Sequence, residues 1–147
     1  MKSKITIAPA GNKDRPAILA LLADENLPTT DLSENMDHFF TAKDSDRIIG
    51  VIGLEIYGPF GLLRSLAVAK EFRGQRIGSV LTSALETLSK QLSVSELYLL
   101  TETAPDFFKK FSYRVVDRKD VPDLIKASSE YSGVCPSTAI VLKKSLS

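Results

Sequence analysis

The chain has 147 residues, of which 44% are hydrophobic and 25% charged, the composition of one ordinary globular domain. Nineteen basic residues face 18 acidic ones, and this near balance argues against a nucleic-acid partner. Cys135 is the only cysteine and His38 the only histidine, which excludes a Cys/His zinc site and leaves no metal expected. The chain shows no signal peptide and no apolar run of membrane-spanning length, so we expect no membrane partner and a cytoplasmic location.

The first half of the chain predicts a strand, two helices and an antiparallel meander. Alternating residues predict a strand over 4–9, followed by a helix with Asn12 or Asp14 as its cap and Pro16 in its first turn. Pro28 is expected to end this helix, and residues 31–37 are a candidate for a short second helix. The meander that follows has predicted strands over 39–43, 48–57 and 62–69, with turns at 44–46 and 58–61.

In the second half the hydrophobic period changes. A helix is predicted over 76–92, because apolar residues recur there at helical spacing: Ile77, Val80, Leu81, Ala84, Leu85, Leu88 and Leu92. The apolar run 96–101 predicts a buried strand, parallel to the strand before the helix. The remaining predicted elements are helices over 104–111 and 122–129 and strands over 113–117 and 139–143. This order predicts an α/β fold, with a mixed, mostly antiparallel sheet of six or seven strands and helices on both faces.

The segment 62–79 carries the most chemical information. A buried strand runs into a basic loop with Gly74 and Gly78, and the loop opens the amphipathic helix. Main-chain amides at a helix start have no intrahelical partner, and the helix dipole adds partial positive charge there. Arg73 and Arg76 add full charges, and the glycines let a ligand approach closely. This combination predicts a phosphate site; the alternative is a surface turn with two solvated arginines.

Two blocks of this sequence resemble motifs of the GNAT acetyltransferases. Residues 73–78, RGQRIG, resemble the family's acetyl-CoA signature R/Q-x-x-G-x-G/A, with Arg76 in place of the first glycine. Residues 104–113, APDFFKKFSY, are similar to the family's A-x-x-F-Y-x-x-x-G-F. There Phe108 replaces the tyrosine that commonly protonates the leaving thiolate, and Ser112 replaces a glycine.

The resemblance implies a single GNAT domain over 1–147, with acetyl-CoA as cosubstrate and no metal. The amides of Leu66 and Val68 would bind the acetyl group and the pantetheine arm, beside a splay of the strands at Ala69 and Thr101. The amides of 74–79 would hold the pyrophosphate. The expected coenzyme site is therefore Leu66, Ala67, Val68, Arg73, Gly74, Gln75, Arg76, Ile77, Gly78, Ser79, Thr101 and Phe108.

A narrower resemblance concerns the subgroup. The stretches 62–68, 97–101 and 135–139 look like the GNAT proteins of arsenic-resistance operons, and they faintly echo amino-acid acetyltransferases of the N-acetylglutamate synthase type. The resemblance also makes a homodimer an expectation, because dimers are frequent in the superfamily.

Candidate catalytic groups lie on the meander. If the loop 58–61 closes a hairpin, Tyr57 faces Leu62 and Glu55 lies opposite Arg64 on one face of the sheet. Glu55 could then be the general base, while Arg64, with Tyr57 beside it, would bind an anionic group of the acceptor. A structural cross-strand ion pair is the alternative. Glu102 is a second candidate base; the alternative is that its carboxylate only interacts with the dipole at the start of the following helix.

Other groups leave choices open. Four tyrosines could replace the missing proton donor: Tyr57, Tyr98, Tyr113 and Tyr131. Cys135 is either a ligand for a thiophilic substrate or an inert small hydrophobe. The function expected from sequence is acetyl transfer from acetyl-CoA to the amine of a small, anionic molecule by direct attack in a ternary complex. A non-catalytic acyl-CoA sensor is the alternative.

Overall fold

The computed structural model describes residues 5–27, 29, 32, 36–101, 105–128, 131 and 139–146. The strands are β1 Ile5–Pro9, β2 Phe39–Asp44, β3 Arg47–Tyr57, β4 Phe60–Val68, β5 Glu96–Thr101, β6 Arg114–Val116 and β7 Ile140–Ser145. The helices are α1 Arg15–Asp24, α2 Ile77–Gln91, α3 Pro105–Lys109 and α4 Asp123–Lys126. The strands form one sheet in the order β1-β2-β3-β4-β5-β7-β6, which is mixed because β4 and β5 run parallel. The predicted fold class is confirmed.

The chain divides into two compact units, and the first comprises Met1–Leu54 and Ser65–Leu88. In this unit β1 pairs antiparallel with β2, and β2 pairs antiparallel with β3. Phe39 lies opposite Gly53 in the β2–β3 ladder, and a Cβ on Gly53 would come within 2.4 Å of the Phe39 ring. Glycine is therefore required at this position, because only a hydrogen leaves room for the buried ring.

Helix α2 lies close to its predicted bounds, but its apolar stripe is narrower than predicted. Ile77, Leu81 and Leu85 are buried, whereas Val80 is 48% exposed and Leu92 is 41% exposed. Leu92 is exposed because it comes after Gln91, the last residue of the helix. Val80 is exposed because it lies in the first turn, at the edge of the apolar stripe. The sequence analysis assigns both residues to the apolar face of the helix, and neither of them is buried.

The second unit comprises Glu55–Arg64 and Ser89–Ser147. Here β4 and β5 pair in parallel from Phe60–Glu96 to Leu62–Tyr98, and this ladder ends although both strands continue. Strand β7 pairs antiparallel with β5 on one side and with β6 on the other, so it inserts between two strands that precede it in sequence. The core of the unit is a cluster of Leu62, Tyr98, Val121, Ile125 and Val141.

The turn between β3 and β4 is shorter than predicted. The sequence analysis assigns 58–61 to a loop, but only Gly58 and Pro59 form the turn, and β4 already begins at Phe60. Gly58 has a φ of +65°, which a two-residue hairpin turn requires at its first position. The residues that flank such a turn face each other, which places Tyr57 opposite Phe60 instead of Leu62. Glu55 and Arg64 still share one face of the sheet, but they lie diagonally.

Several predicted boundaries move by one to four residues. Helix α1 ends at Asp24, before the expected stop at Pro28, which lies outside the described residues together with most of the predicted helix over 31–37. Helices α3 and α4 are shorter than predicted, and β7 extends to Ser145. None of the helices in the described part of the chain is long and apolar enough to cross a membrane.

Candidate functional site

The start of α2 has the features of an anion-binding site. Residues 73–76 are exposed, and the buried face of the helix begins with Ile77. Among the described residues, no main-chain carbonyl accepts a hydrogen bond from the amides of Gly74 to Ser79, and the first helical donor is Val80, which bonds the Arg76 carbonyl at 3.1 Å. This run of N–H groups, at the positive end of the helix dipole, is available to a ligand.

The backbone of this loop is left-handed at two residues. Gly74 has a φ of +84°, and a Cβ built on it would meet no atom within 4 Å, so the loop is open at this point. Arg76 has a φ of +63°, although it is not a glycine. Main-chain anion sites of the nest type alternate right- and left-handed residues, and the left-handed residues 74 and 76 are compatible with that pattern.

Arg76 and Ser112 both stand where the resembled motifs have glycine. Ser112 has a φ of +72°, so both residues keep the left-handed conformation that the glycine would favour. An L-residue in this region costs about 1–2 kcal/mol. The left-handed conformation is therefore adopted at both positions at an energetic cost.

The Arg73 side chain is engaged within the first unit. Its guanidinium forms an ion pair with Glu25, the residue that follows α1, and its Nε donates to the Val68 carbonyl at 3.4 Å. The Arg73 amide donates to the Lys70 carbonyl at 3.4 Å. Arg73 therefore connects the end of α1 to the end of β4. The sequence carried no signal for Glu25, because the two residues are 48 positions apart.

Strand β4 contains an irregularity that the sequence did not predict. Ser65 has a φ of +60° within the strand, a conformation typical of a bulge. The four residues before it, from Gly61 to Arg64, are all buried, whereas Ser65 and Leu66 are half-buried. Leu66 and Val68, the residues predicted to bind the acetyl end of the coenzyme, thus follow directly after a left-handed residue of the strand. Serine gives no compositional hint of positive φ, so the feature was missed.

A second group of functional candidates, which we call the Glu55 cluster, consists of Glu55, Tyr57 and Arg64. The Tyr57 hydroxyl donates to Glu55 Oε1 at 2.8 Å, and Arg64 Nη1 donates to Glu55 Oε2 at 3.1 Å. The Arg64 side chain is 1% exposed and the Glu55 side chain 20% exposed. The predicted ion pair is therefore present. Arg64 is buried and bonded to Glu55, and its contact with an anion of the acceptor stays a prediction.

The same pattern occurs a second time, on β5. In this Glu96 cluster the Tyr98 hydroxyl donates to Glu96 Oε1 at 3.1 Å, and Lys143 Nζ lies 2.7 Å from Glu96 Oε2. The Lys143 hydrogen bond is the main cause that holds the pKa of Glu96 below its usual value, while burial raises the pKa of Tyr98 to about 12. Both clusters arise from a Glu-x-Tyr sequence on a strand with a cation on a neighbouring strand, which makes one a natural control for the other.

The remaining predicted residues have mixed outcomes. Phe108 is buried, with its ring edge-on to Phe107 at 5.1 Å and to Tyr113 at 5.7 Å between centroids. Thr101 is the half-buried last residue of β5. The candidate base Glu102 and the candidate ligand Cys135 lie outside the described residues.

Comparison with known proteins bears on the family. A model of the family described as acetyltransferase (GNAT) domain matches residues 35–115, more than half of the chain. The chain belongs to the GNAT acetyltransferase family. A curated relative, an uncharacterized N-acetyltransferase of Chlorobaculum tepidum, is 31% identical to this GNAT protein over 93 residues, which is 63% of the chain. The match spans 59% of the length of that relative.

Solved structures share the GNAT fold of this chain. N-acetylglutamate synthase from Neisseria gonorrhoeae, solved with coenzyme A and N-acetyl-glutamate, has a TM-score of 0.83 at 17% identity, over 100% of this chain and 36% of that one. A GNAT acetyltransferase from Staphylococcus aureus has a TM-score of 0.79 at 20% identity, over 98% of this chain and 100% of that one. Rv2747 from Mycobacterium tuberculosis, solved with CoA, has a TM-score of 0.78 at 19% identity, over 95% of this chain and 98% of that one. At these identities the likeness concerns the fold alone.

Proposed function

We propose that this GNAT protein transfers an acetyl group from acetyl-CoA to the amine of a small molecule. The observation that carries the proposal is the run of unpartnered amides from Gly74 to Ser79, among the described residues, at the opening of α2. A loop of this geometry is suited to a diphosphate, and CoA is present in solved structures of the same fold. One domain over 1–147 would carry the activity.

The residues of the loop fit the coenzyme. The amides of 74–79 would hold the diphosphate, with Arg76 adding an exposed positive charge beside them. After the left-handed residue Ser65, the amides of Leu66 and Val68 would bind the pantetheine arm and polarise the thioester carbonyl. Ala67, Thr101 and Phe108 complete the coenzyme site that we propose from the family resemblance.

Glu55 is the proposed general base for the acceptor amine. Amine attack on a thioester needs a neutral amine, and a half-buried carboxylate can take the proton, directly or through a water. Arg64 holds one carboxylate oxygen of Glu55, so we assign it to positioning the base. The acceptor is proposed to be a small, anionic molecule, whose anionic group Arg64 and Tyr57 would bind beside Glu55.

Two measurements test the coenzyme half of the proposal. Calorimetry is expected to show binding of acetyl-CoA, and a thiol-release assay is expected to show turnover with at least one amine. The acceptor panel should contain amino acids, polyamines, aminoglycosides and amine-bearing arsenicals, because the resemblance to arsenic-resistance GNAT proteins is part of the proposal. Absence of binding at millimolar acetyl-CoA would remove the enzyme assignment.

The role of Glu55 is tested by Glu55→Gln, which keeps an oxygen acceptor for Arg64. We expect turnover to fall about 100-fold, the contribution of a general base, while affinity for acetyl-CoA stays within about twofold. Glu96→Gln is the matched control, because Glu96 also accepts a hydrogen bond from a tyrosine, Tyr98, and pairs with a cation, Lys143. Equal losses of activity in the two variants, each tracking a loss of stability, would show that Glu55 is only a structural ion-pair partner.

A second candidate function is an acyl-CoA-binding module without catalysis. The observation that favours it is Phe108, a buried phenylalanine where the resembled motif has the proton-donating tyrosine. This candidate predicts coenzyme binding with no thiol release for any amine. For either function we propose a cytoplasmic location and a homodimer. Light scattering at micromolar protein concentration measures the oligomeric state.

A further inference from the structure

Hydrogen bonds at the end of α1 fix the position of Glu25. The Leu27 amide donates to the Leu22 carbonyl at 2.9 Å. The Asn26 amide donates to the Ala23 carbonyl at 3.1 Å, and Asn26 is left-handed with a φ of +60°. This is the Schellman arrangement of a helix C-terminus, in which Glu25 is the C-cap. The backbone that carries the Glu25 carboxylate is therefore held in one place.

A carboxylate at this position is electrostatically unfavourable unless a cation pairs with it. Glu25 lies at the negative end of the α1 dipole, next to a second carboxylate, Asp24, and the last turn of the helix contains no basic residue. The Glu25 side chain is only 17% exposed, so water solvates it poorly. Arg73, which forms an ion pair with it, supplies the positive charge that the helix end lacks. The charge of Arg73 is thus largely compensated by Glu25.

Arg76 has the opposite surroundings. It is exposed, and the described part of the chain offers its guanidinium no hydrogen bond and no ion pair. Its carbonyl accepts the bond from the Val80 amide that opens α2, so Arg76 stands among the amides of 74–79. Its φ of +63° is costly for a residue with a side chain, and glycine would avoid the cost. Strain that glycine would relieve is characteristic of positions where the side chain has a function.

We infer that the two arginines of the loop have separate roles. Arg76 supplies the side-chain charge that binds the coenzyme phosphates, whereas Arg73, at the first position of the resembled signature, is the counter-ion of α1. The inference rests on the proposed function, in which the amides of 74–79 hold the diphosphate. The paired charges of Arg73 and Glu25 oppose each other at the distance of a ligand, while the guanidinium of Arg76 acts with its full charge. The residue that departs from the signature thus provides the electrostatic contribution to binding.

Calorimetry with CoA on charge-matched variants separates the two roles. Arg76→Gln is expected to weaken CoA binding about fivefold, the effect of a unit charge about 4 Å away in water. The double variant Glu25→Gln/Arg73→Gln removes one charge of each sign, so its affinity should stay within about twofold of the wild type. Arg47→Gln/Glu71→Gln, which removes another ion pair of the first unit, is the matched control. If Glu25→Gln/Arg73→Gln weakens CoA binding as much as Arg76→Gln does, or if Arg76→Gln binds like the wild type, the inference is overturned.

The salt dependence of CoA affinity gives an independent readout. Salt screens exposed charges, so the affinity of the wild type should fall as ionic strength rises. Arg76→Gln is expected to flatten this fall, because one of the screened charges is gone, whereas Glu25→Gln/Arg73→Gln should keep the wild-type slope. An Arg76→Gln variant with weaker binding but an unchanged slope would mean that Arg76 acts only through the loop backbone, which contradicts the inference.

Thermal unfolding without coenzyme tests the role of Arg73, and circular dichroism verifies that each variant is folded. Arg73→Gln leaves Glu25 without its cation and should lower Tm by about 2 °C. Adding Glu25→Gln should restore most of this loss, and Arg73→Lys, which keeps the charge, should lose less. Arg76→Gln should leave Tm within about 1 °C of the wild type. An Arg73→Gln variant as stable as the wild type would refute the counter-ion role.

Failure of the proposed function gives a different pattern of results. If the wild type does not bind CoA at millimolar concentration, the proposed function fails and the role of Arg76 fails with it. The Tm series needs no coenzyme, so it decides the role of Arg73 in that case as well.

Discussion

Arg76→Gly is expected to change stability and coenzyme affinity in opposite directions. In the left-handed region an L-residue costs about 1–2 kcal/mol, and Arg76 has a φ of +63°. Glycine removes that cost but adds about 0.5–1 kcal/mol of unfolded-chain entropy, so a net gain of about 0.5–1 kcal/mol is expected. For a chain of this length this corresponds to a rise in Tm of about 2 °C. The charge of Arg76 is lost, and a unit charge about 4 Å away contributes about 1 kcal/mol in water, so CoA affinity should fall about fivefold.

Chemical denaturation and calorimetry with CoA measure the two effects separately. Ser112→Gly, at a φ of +72°, should also stabilise the protein but should leave affinity unchanged. Ser83→Gly, at an exposed position inside α2, should destabilise it by about 0.5 kcal/mol, because glycine is the poorer helix former. The reasoning is refuted if Arg76→Gly lowers stability, since the backbone at 76 would then not be strained. A loss of affinity far beyond tenfold would show that the side chain, and not the amides, dominates binding.

Two other predictions concern charged groups of the first unit. The Gly11 amide, which donates to Asp14 Oδ2 at 2.9 Å, is the main cause that holds the pKa of Asp14 below its usual value. The stability that this hydrogen bond contributes is present above the unfolded pKa of about 4 and is lost as pH falls through the lower folded pKa. Urea denaturation should therefore show Asp14→Asn to be less stable than the wild type at pH 7, and the difference in unfolding free energy should shrink in acid. Glu25→Gln releases the Arg73 guanidinium and removes a negative charge that would repel the diphosphate, so calorimetry should show CoA binding about threefold tighter. Glu71→Gln, which breaks another exposed ion pair, is the control and should leave CoA affinity unchanged. Weaker CoA binding in Glu25→Gln would mean that Glu25 positions the loop.

Much of the fold could be predicted because local patterns and packing agree. The stripe of Ile77, Leu81 and Leu85 marks α2 within one residue of its observed bounds, and the apolar run 96–101 is found as β5. The parallel pairing of β4 with β5 follows from the helix between them, since a strand–helix–strand crossover favours parallel strands. Helix α2 and strand β5 are decided by residues close in sequence, and both were predicted.

What escaped prediction depends on long-range geometry or on residues without a sequence signal. The position of β7 between β5 and β6 is a property of the sheet order, which the pattern of a single strand does not encode. The positive φ of Ser65 could not be predicted, since serine has no preference for that region. The ion pair of Glu55 and Arg64 was predicted from the wrong turn length, and it is found because both residues lie on the same face in either register.

The insertion of β7 between β5 and β6 has a consequence for how the polypeptide matures. During synthesis, β6 emerges from the ribosome some 25 residues before the strand that will pair with it, and β5 waits longer still for its antiparallel neighbour. Until residues 140–145 appear, both strands expose backbone donors and acceptors to any passing chain. The nascent protein therefore passes through an interval of vulnerability to misassembly, and a chaperone that shields β5 and β6 would raise the yield of native molecules without altering their final stability.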